Sequence, residues 1–453
     1  MKNLFSEFRG ISFKEWKNKA NFDLNGKEFN ESLNWHGLEG INTPPYFSPD
    51  QKIKSIDHSR PSYGKVSVAK YFILKNDARS INIFKTFIKE ELDTIKVFIP
   101  KSFDLSQIIS LQGLLNKNVQ FEFELFTENY IPNIIELASK IKNDYKIYLN
   151  LDFIGRLPID GNWIKSEKDD LELLLKVSKL DKNVIPFSVN STFYQNSGAN
   201  ILQQIAYTLA TAVEYTEIIG SDFFAKVQYN FAIGSNFFFE VAKLSAFDYL
   251  IDLIKQKYNV NTRNNICCES SFRNKTIYDA HNNILRSTTE AMSAMIANAD
   301  TFVSSSFDST YNNANNFSSR IGYNQLLILS EETYMEKVDN IDEGSYYIDF
   351  IKYELAEKSL EIFKLIENGG GILKQLKEGI IQRKVNDSSR KEQDLFDNGP
   401  NAEIKSDEKM DANIRKYPFL KFKNRKTTFR LIYPRRLSEE IEKKRLNQEK
   451  QNS

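Results

Sequence analysis

The sequence predicts an α/β fold, a (β/α)8 TIM barrel. Short β-rich runs alternate with longer stretches of helical period along most of the chain, and this alternation indicates parallel strands joined by right-handed crossovers. Eight such units fill roughly 275 residues, close to the usual barrel size of about 250. A doubly wound open sheet remains the alternative, because counting units does not show that the sheet closes.

Residues 1–90 are expected to form an extended arm followed by a pre-barrel strand and helix. The first part of this segment is polar and contains the turn signals Asn25-Gly26 and Pro44-Pro45, so we expect it to wrap over a neighbouring surface. The pre-barrel strand is the apolar run Val66 to Leu74. It precedes apolar residues at helical spacing between Ile81 and Leu92.

The TIM-barrel domain is predicted to span residues 91–385. Its β-rich runs are, in order, 94–100, 119–126, 146–155, 184–191, 225–234, 265–271, 300–308 and, weakest, 334–339. Helical patterns follow near 104–116, 129–144, 168–180, 197–219, 236–258, 279–297, 312–331 and 345–368. Barrel enzymes keep their active sites at the carboxyl ends of the strands, so polar residues there are the first candidates for chemistry.

The composition changes after the glycine triplet Gly369-Gly370-Gly371. A short helix is predicted to about Val385, and residues 386–415 are polar and charged, which is typical of a solvated linker. Residues 416–453 regain apolar content and end in a charged helix, so we predict a C-terminal arm and helix. The triplet follows a long helix and lacks the Lys-Ser/Thr of a phosphate-binding loop, which favours a helix cap.

The charge balance argues against nucleic acid as a partner. Lys and Arg number 61 and Asp and Glu 60, so no net field concentrates polyanions. The basic and aromatic run Lys416 to Arg436 could clamp a polyanion. In a neutral chain we favour an arm whose aromatic residues pack on a partner while the lysines and arginines stay solvated.

Apolar patterning and cysteine usage predict a cytoplasmic protein without a membrane span. The start of the sequence lacks the apolar core of a signal peptide, and no stretch approaches the about 18 apolar residues of a spanning helix. Two adjacent cysteines, Cys267 and Cys268, cannot build a disulfide framework. Because neighbours on a strand point to opposite faces, both are predicted to be structural.

Three carboxylates lie at or near strand ends, namely Asp152, Glu269 and Asp308. Spacing alone does not pair them, so none is assigned a catalytic role. His36 and His58 lie in the arm, where a solvated or locally hydrogen-bonded imidazole is expected.

A series of short segments, spread over most of residues 30–385, matches one known family in order. The segments are Leu38 to Ile41 with Pro45, Ser197-Gly198-Ala199 with the helix to Glu214-Tyr215, Phe231 to Phe238 with Glu240 to Leu244, Tyr278 through Asn283, Arg286 with Thr288 to Met292, Phe317 to Ile321, Gly344 to Tyr347, Leu355-Ala356-Glu357 and Glu367 to Gly370. The chain thus resembles the adenosylcobalamin-dependent acyl-CoA mutases, methylmalonyl-CoA mutase in particular. The resemblance implies a (β/α)8 barrel through whose axis the pantetheine arm of coenzyme A threads.

The departures from the family occur at two strand ends. In catalytic members the strand before the Gln-x-x-Gly-Ala segment ends in Tyr-His, whereas Thr192 and Phe193 precede Gln195 here. A phenyl ring has no donor or acceptor, so it cannot hydrogen-bond a thioester or steer a proton. The seventh strand ends in Leu-His-Thr-Asn in catalytic members but reads Phe302 to Ser305 here, so that Val303 takes a second polar position.

Two further departures concern the arm and the cobalt ligand. The family segment with Arg-Pro-Trp and a substrate-facing tyrosine is shortened to Arg60 to Gly64, and Tyr63 is not assigned as that tyrosine. The run Asp279 to Ile284 nearly fits the D-x-H-x-x-G loop that places a histidine on cobalt, but Ile284 replaces the glycine. We therefore predict that His281 is a helix N-terminal residue, and we assign no metal ligand.

These departures, with the resemblance, imply a noncatalytic small (beta) subunit of methylmalonyl-CoA mutase. We expect a heterodimer with a catalytic large subunit that binds adenosylcobalamin and interconverts (R)-methylmalonyl-CoA and succinyl-CoA. The residues after the linker are too few for a Rossmann-like cobalamin-binding domain, so no cofactor-binding residue is assigned to this chain. One alternative is a competent acyl-CoA mutase barrel that works with a cobalamin-binding domain on a separate chain, and another is an unrelated scaffold barrel.

Overall fold

The structure is a computed structural model that describes residues 9–58, 60, 65–142, 144–312, 315–335, 341, 343–399, 419 and 426–451. Its centre is a closed barrel of eight parallel strands in the order β10-β3-β4-β5-β6-β7-β8-β9, which confirms the predicted fold. A two-stranded antiparallel ladder, β1 with β2, precedes the barrel. The strands are β1 Trp35–His36, β2 Asn42–Thr43, β3 Ser67–Ile73, β4 Thr94–Ile99, β5 Asn118–Phe123, β6 Ile147–Leu151, β7 Val184–Asn190, β8 Val227–Ile233, β9 Asn265–Ser270 and β10 Thr301–Val303.

Helices surround the barrel and extend it at both ends of the chain. They are α1 Phe13–Asp23, α2 Phe29–Leu33, α3 Ala78–Phe87, α4 Ser106–Ile109, α5 Ile131–Lys140, α6 Leu157–Asp160, α7 Glu167–Val177, α8 Thr192–Asn196, α9 Ile201–Ile219, α10 Phe237–Lys257, α11 Asn282–Ile296, α12 Asn316–Glu331, α13 Tyr346–Asn368, α14 Gly371–Lys377, α15 Ile380–Asp397 and α16 Glu439–Gln451. Short 3-10 turns lie at Gln112–Leu114, Glu128–Tyr130 and Ser221–Ala225. Among the described helices, none is both long enough and apolar enough to cross a bilayer.

The first barrel strand is β3, so the predicted boundary at residue 91 is wrong. β3 pairs with β4 from Ala69 opposite Thr94 to Ile73 opposite Phe98, and with β10 on its other side. Barrel closure requires this strand, because without it β4 and β10 would both expose unpaired edges. Of the weak run 334–339, Tyr334 and Met335 are not in a strand and 336–339 lie outside the described residues.

The helix predicted to end near Val385 continues to Asp397 as α15. Residues 386–397 are therefore helical and not linker, whereas 400–415 lie outside the described residues. The helix continues because its buried stripe of Ile381, Val385 and Ser388 packs on the barrel. The glycine triplet separates α13 from α14, with Gly370 at φ +96, which confirms the predicted cap.

The N-terminal segment packs on helices of its own chain. The Trp35 ring lies 4.9 Å from that of Phe239 on α10, and the Phe47 ring lies 5.3 Å from that of Phe350 on α13. Arg60 is buried and forms ion pairs with Asp248 and Asp300. Arg60 thus anchors the end of the arm, whereas Pro61 to Gly64, including Tyr63, lie outside the described residues.

Candidate functional site

A cavity of about 940 Å³ opens at the carboxyl end of the barrel. Every barrel strand contributes at least one residue to its lining. One such residue from each strand, in chain order, is Tyr71, Lys96, Glu122, Asn150, Asn190, Asn230, Glu269 and Val303. The cavity therefore occupies the place where barrel enzymes carry their active sites.

Lys96 forms an ionic bridge across the floor of this cavity. Its Nζ lies 3.4 Å from Glu122 Oε2 and 3.2 Å from Glu269 Oε2. β9, which carries Glu269, is separated from β4 by β3 and β10, so the bridge crosses the barrel interior. We call these three residues the ionic floor.

The ionic floor fixes the protonation of Lys96 and Tyr71. Burial would lower the pKa of Lys96, but Glu269 and Glu122 outweigh it and raise this pKa well above its usual value. Burial, with Glu122 as a further cause, raises the pKa of Tyr71. At neutral pH the structure thus holds a charged ammonium and a neutral phenol, and neither can act as a base or nucleophile.

A second polar layer fills the barrel below the ionic floor. Asn265 Nδ2 donates to Tyr148 Oη at 3.0 Å, and Gln228 Nε2 donates to Asn265 Oδ1 at 2.9 Å. In the same interior, Cys267 Sγ lies 3.8 Å from Gln120 Oε1. Large hydrogen-bonded side chains therefore occupy the interior, where branched apolar residues are usual in TIM barrels.

Three asparagines carried by the strands line the cavity wall. Asn150 Nδ2 donates to the Phe121 carbonyl at 3.1 Å, and Asn230 Nδ2 donates to Asn150 Oδ1 at 3.3 Å. Asn150 has φ +48 at a register shift between β6 and β7, and asparagine tolerates this left-handed conformation better than most residues. Asn190 Oδ1 accepts a hydrogen bond from the Thr192 amide.

Phe193 and Val303 both line the cavity, as the sequence positions suggested. Val303 packs with Ala69 and Cys267. Thr192 is buried beside the cavity lining, and its Oγ1 has no hydrogen-bond partner among the described residues. The structure thus places two apolar side chains in the cavity, while their loss of a catalytic role stays a prediction.

The three strand-end carboxylates have different environments. Asp152 is buried and accepts hydrogen bonds from the Tyr215 hydroxyl at 2.8 Å and the Asn190 amide at 2.7 Å. Burial raises the pKa of Asp152, and these hydrogen bonds oppose the shift. Glu269 belongs to the ionic floor. Asp308 does not line the cavity, and its Oδ2 accepts hydrogen bonds from two asparagine side chains.

The two cysteines point to opposite faces of β9, as predicted. Cys267 lies in the barrel interior with Val303, and Cys268 lies in the apolar layer between strands and helices. Burial raises the pKa of Cys267 to about 12. At neutral pH Cys267 is therefore a thiol and not a nucleophilic thiolate.

The three histidines lie away from the cavity. His36 Nδ1 is 2.7 Å from Asn42 Oδ1, and the His281 ring stacks on Phe307 at the start of α11, which confirms the predicted helix N-terminal position. His58 Nε2 is 3.0 Å from Asp248 Oδ2. All three lie among the described residues and none lines the cavity, so no imidazole is placed to contact a molecule bound there.

One cluster has the composition of a metal site, formed by His58, Asp248 and Asp252, with ligand atoms within 4.8 Å of one another. Two cations already occupy its surroundings. Arg60 lies 3.6 Å from Asp248, and Lys255 Nζ lies 2.8 Å from Asp252 Oδ1. A divalent cation would meet these positive charges, so the cluster is a salt-bridge network that holds the arm.

The C-terminal segment, residues 426–438, packs along the loops at the carboxyl end of the barrel. The Phe429 amide donates to the Gly161 carbonyl, and the Ile432 amide donates to the Pro158 carbonyl, at 3.0 and 2.8 Å. The prediction that its aromatic residues pack on a partner and its cations stay solvated is wrong for Phe429 and Arg436, whereas Lys426 and Arg430 are exposed as predicted. Phe429 is buried on its own barrel, and Arg436 is fully buried, where its guanidinium donates to the Lys275 carbonyl. Residues 416–418 and 420–425 lie outside the described residues.

Sequence reasoning missed Lys96, Glu122 and Asn230. A weak signal was present, because each is a polar residue at an alternate position of a mostly apolar run, and such positions share one face of a strand. Strand register is what brings them together, and the sequence does not give register.

The family model described as methylmalonyl-CoA mutase matches residues 150–450. The methylmalonyl-CoA mutase small subunit of Porphyromonas gingivalis is 27% identical over 422 residues, which cover 86% of this chain and 68% of that protein. The methylmalonyl-CoA mutase of Rhizobium meliloti is 29% identical over 260 residues, 54% of this chain and 36% of that protein. The chain thus matches about a third of the length of this second relative.

Among solved structures, a dihydropteroate synthase from Thermus thermophilus covers 60% of this chain and 98% of its own, with a TM-score of 0.34 and 10% identity. Because this similarity is low, the barrel assignment rests on the closed order of the eight strands.

Proposed function

Because the chain belongs to the methylmalonyl-CoA mutase family, a family of cobalamin-dependent mutases, we propose that it is a noncatalytic small (beta) subunit. It pairs as a heterodimer with a catalytic large subunit in the cytoplasm. The assembled enzyme interconverts (R)-methylmalonyl-CoA and succinyl-CoA by a radical rearrangement, for which adenosylcobalamin supplies the chemistry when bound. The partner holds that cofactor, since no imidazole of this chain faces the cavity.

The ionic floor is the observation that carries this proposal. An acyl-CoA whose pantetheine arm threads the barrel axis needs an open interior, and here Lys96 bridges to Glu269 across it. The side chains of Tyr148 and Gln228 fill the layer below. Opening a path would break the bridge and leave buried charges without partners, which is strongly unfavourable.

The charge and polarity of the cavity support the same proposal. Coenzyme A esters are polyanions, and carboxylates outnumber cations in the lining. Phe193 and Val303 offer no hydrogen bond to a thioester or to a migrating group. A barrel with these features suits assembly better than turnover.

The partner is supported by the small-subunit relative, which aligns with most of this chain. A protein named as a small subunit assembles with another chain, and the family resemblance makes a catalytic mutase subunit the natural choice.

The test is co-expression of this chain with a catalytic mutase subunit from the same genome. We expect a stable one-to-one complex by size-exclusion chromatography with light scattering. Mutase activity of the complex should depend on the large subunit's cobalamin and not on residues lining the cavity of this chain. A chain that stays monomeric beside every such partner would refute the assembly. Turnover by this chain with only a detached cobalamin-binding protein would instead show a competent barrel.

A further inference from the structure

We propose that Asn25 is a modification site, at which the side-chain amide is lost to give an aspartyl or isoaspartyl residue. This goes beyond the proposed function, which assigns no modification to this chain. The sequence contains three Asn-Gly pairs, which begin at Asn25, Asn368 and Asn398. All three lie among the described residues, and there only the first has a glycine amide without a hydrogen-bond partner.

The reaction uses the backbone nitrogen of the glycine as its nucleophile. That nitrogen attacks Cγ of the preceding asparagine, so that a new N–C bond forms and the Cγ–N bond of the side-chain amide breaks. Ammonia leaves with the proton of the glycine amide, and a succinimide ring remains. Water then opens the ring at either carbonyl, which gives aspartate or isoaspartate. Glycine favours the attack because it has no Cβ to shield the nitrogen.

The turn after α1 leaves both reacting groups unengaged. Within the described residues, the Gly26 amide donates no hydrogen bond and the Asn25 side chain has no partner. Both residues are exposed and have left-handed φ angles, +50 for Asn25 and +88 for Gly26. Other amides close the turn, since Asn25 N donates to the Phe22 carbonyl and Lys27 N donates to the Leu24 carbonyl. The Gly26 nitrogen can therefore approach Asn25 Cγ without breaking a hydrogen bond.

The pair at the end of α13 is held by the helix. Asn368 is also exposed, but the Gly369 amide donates to the carbonyls of Leu365 and Ile366, each at 3.1 Å. Before the Gly369 nitrogen could attack, these hydrogen bonds would have to break and the last turn of the helix would have to open. The nucleophile of this pair is therefore available only after local unfolding.

The pair after α15 is held at both reacting groups. The Gly399 amide donates to the Phe396 carbonyl at 3.1 Å, and Asn398 Nδ2 donates to the Asp394 carbonyl at 2.8 Å. Asn398 is exposed like the other two asparagines, so exposure does not separate the three pairs, whereas hydrogen bonding does. The rate of an intramolecular attack depends on how readily the reacting atoms reach the geometry of attack. The structure thus ranks Asn25 first.

Modification at Asn25 changes the connection between α1 and α2. Both products add a negative charge, and isoaspartate also adds a methylene group to the backbone. α1 has no buried residue, and its Trp16 ring lies 4.8 Å from that of Tyr46 in the arm, so the change affects the arm and not the barrel. The isoaspartyl product is a substrate for a carboxyl methyltransferase that uses S-adenosylmethionine, because esterification of its carboxylate lets the succinimide form again.

The test is incubation of the full-length protein in mildly alkaline buffer, followed by peptide mass spectrometry against an unincubated sample. Loss of the amide at Asn25 should be at least about tenfold faster than at Asn368 or Asn398. In a parallel sample unfolded in urea the three rates should converge, because the backbone hydrogen bonds are gone. An isoaspartyl methyltransferase with labelled S-adenosylmethionine should label the Asn25 peptide of the folded sample. A smaller difference in the folded protein, or one that persists unchanged in urea, would overturn the inference.

A glycine substitution tests the assigned nucleophile. Gly26→Ala places a Cβ beside the attacking nitrogen with no described atom within 4 Å of it, so amide loss at Asn25 should slow at least about tenfold. Gly10→Ala is the matched control, because an added Cβ there also meets no described atom within 4 Å, and Asn25 should react at the wild-type rate. Unchanged amide loss in Gly26→Ala would refute the site. The comparison of folded and unfolded wild type needs neither variant nor a partner, so its outcome is independent of the proposed assembly.

Discussion

Gly198 lies directly against Ser389, so that the loop before α9 and the surface of α15 meet backbone to backbone. A methyl group on Gly198 would lie 2.7 Å from Ser389 Cα, and Gly198 itself has φ +99. The Arg273 guanidinium donates to the Ser389 carbonyl on the same helix. The contact thus joins the segment Ser197-Gly198-Ala199 to α15, the helix that the sequence predicted to end near Val385.

Gly198→Ala should destabilise the protein by about 3 kcal/mol, the sum of left-handed strain and overpacking against α15. Gly26→Ala is the matched control, because Gly26 also has a left-handed φ, +88, but no described atom within 4 Å of an added methyl group. The control should lose only about 1 kcal/mol. Urea unfolding of both variants measures the difference, and equal losses would mean that the contact with Ser389 is not tight.

Asp248 should make the fold sensitive to acid. Burial alone would raise the pKa of Asp248, but the His58 hydrogen bond and the Arg60 charge outweigh it and hold this pKa below its usual value. A carboxylate with a lowered pKa stabilises the fold above its unfolded pKa of about 3.9, and the stabilisation is lost as pH falls through the folded pKa. Asp248→Asn should therefore cost about 3 kcal/mol at pH 7 and less as the pH falls below about 4.

Urea unfolding between pH 7 and pH 3 gives this difference directly. Asp23→Asn, in an exposed pair with Lys19, is the control and should change stability by less than about 0.5 kcal/mol throughout. A gap between wild type and Asp248→Asn that stays constant with pH would contradict the assigned electrostatics.

Arg436→Met should release the C-terminal segment from the barrel. Arg436 Nη1 lies 2.5 Å from Glu442 Oε2, with both side chains buried, and removing the cation leaves a buried carboxylate at a cost of about 3–5 kcal/mol. Limited proteolysis followed by mass spectrometry should show cleavage within 426–451 and an intact barrel. The double variant Arg436→Met, Glu442→Gln should regain part of the protection.

Arg390→Met provides the matching control, since Arg390 is 76% exposed in its pair with Asp387 and should be as resistant as wild type. Wild-type resistance of Arg436→Met would mean that the buried pair does not hold the segment.

Phe193→His alone should not create mutase turnover. Val303 remains in the cavity, and Lys96 still bridges the interior to Glu269, so one imidazole restores neither the second polar contact nor an open axis. The measurement is conversion of methylmalonyl-CoA to succinyl-CoA by the variant with a detached cobalamin-binding protein. Phe193→Leu serves as the control for changes in folding, and turnover above it would show that the barrel is nearer to competence than we infer.

The alternation of runs and helical patterns was enough to predict the barrel, because parallel strands joined by helices leave a repeating pattern. It left β3 outside the barrel, because β3 is the first strand of the alternation and no strand–helix unit comes before it to mark it as part of the repeat. The pattern also predicted that the helix ends at Val385, because the polar stretch after Val385 carries few apolar residues. In the structure this stretch packs through the buried Ser388 and is held by Arg273, whose guanidinium donates to the Ser389 carbonyl.

The site was less predictable than the fold. Phe193 and Val303 could be located because a family resemblance supplied a reference for those positions. Lys96 and Glu269 lie 173 residues apart, and only barrel closure brings them together. No local pattern encodes such a pairing, and the same holds for Asn150 and Asn230.

The C-terminal segment has a consequence for the order of folding during synthesis. Arg273 Nη1 donates to the Arg435 carbonyl, which is made 162 residues later. At about 5–20 residues per second, the ribosome needs roughly 10–30 s to close that interval. During this time a nascent barrel exposes the loop edges that residues 426–438 later cover. Chaperones can bind this exposed surface until the C-terminal segment has been synthesised.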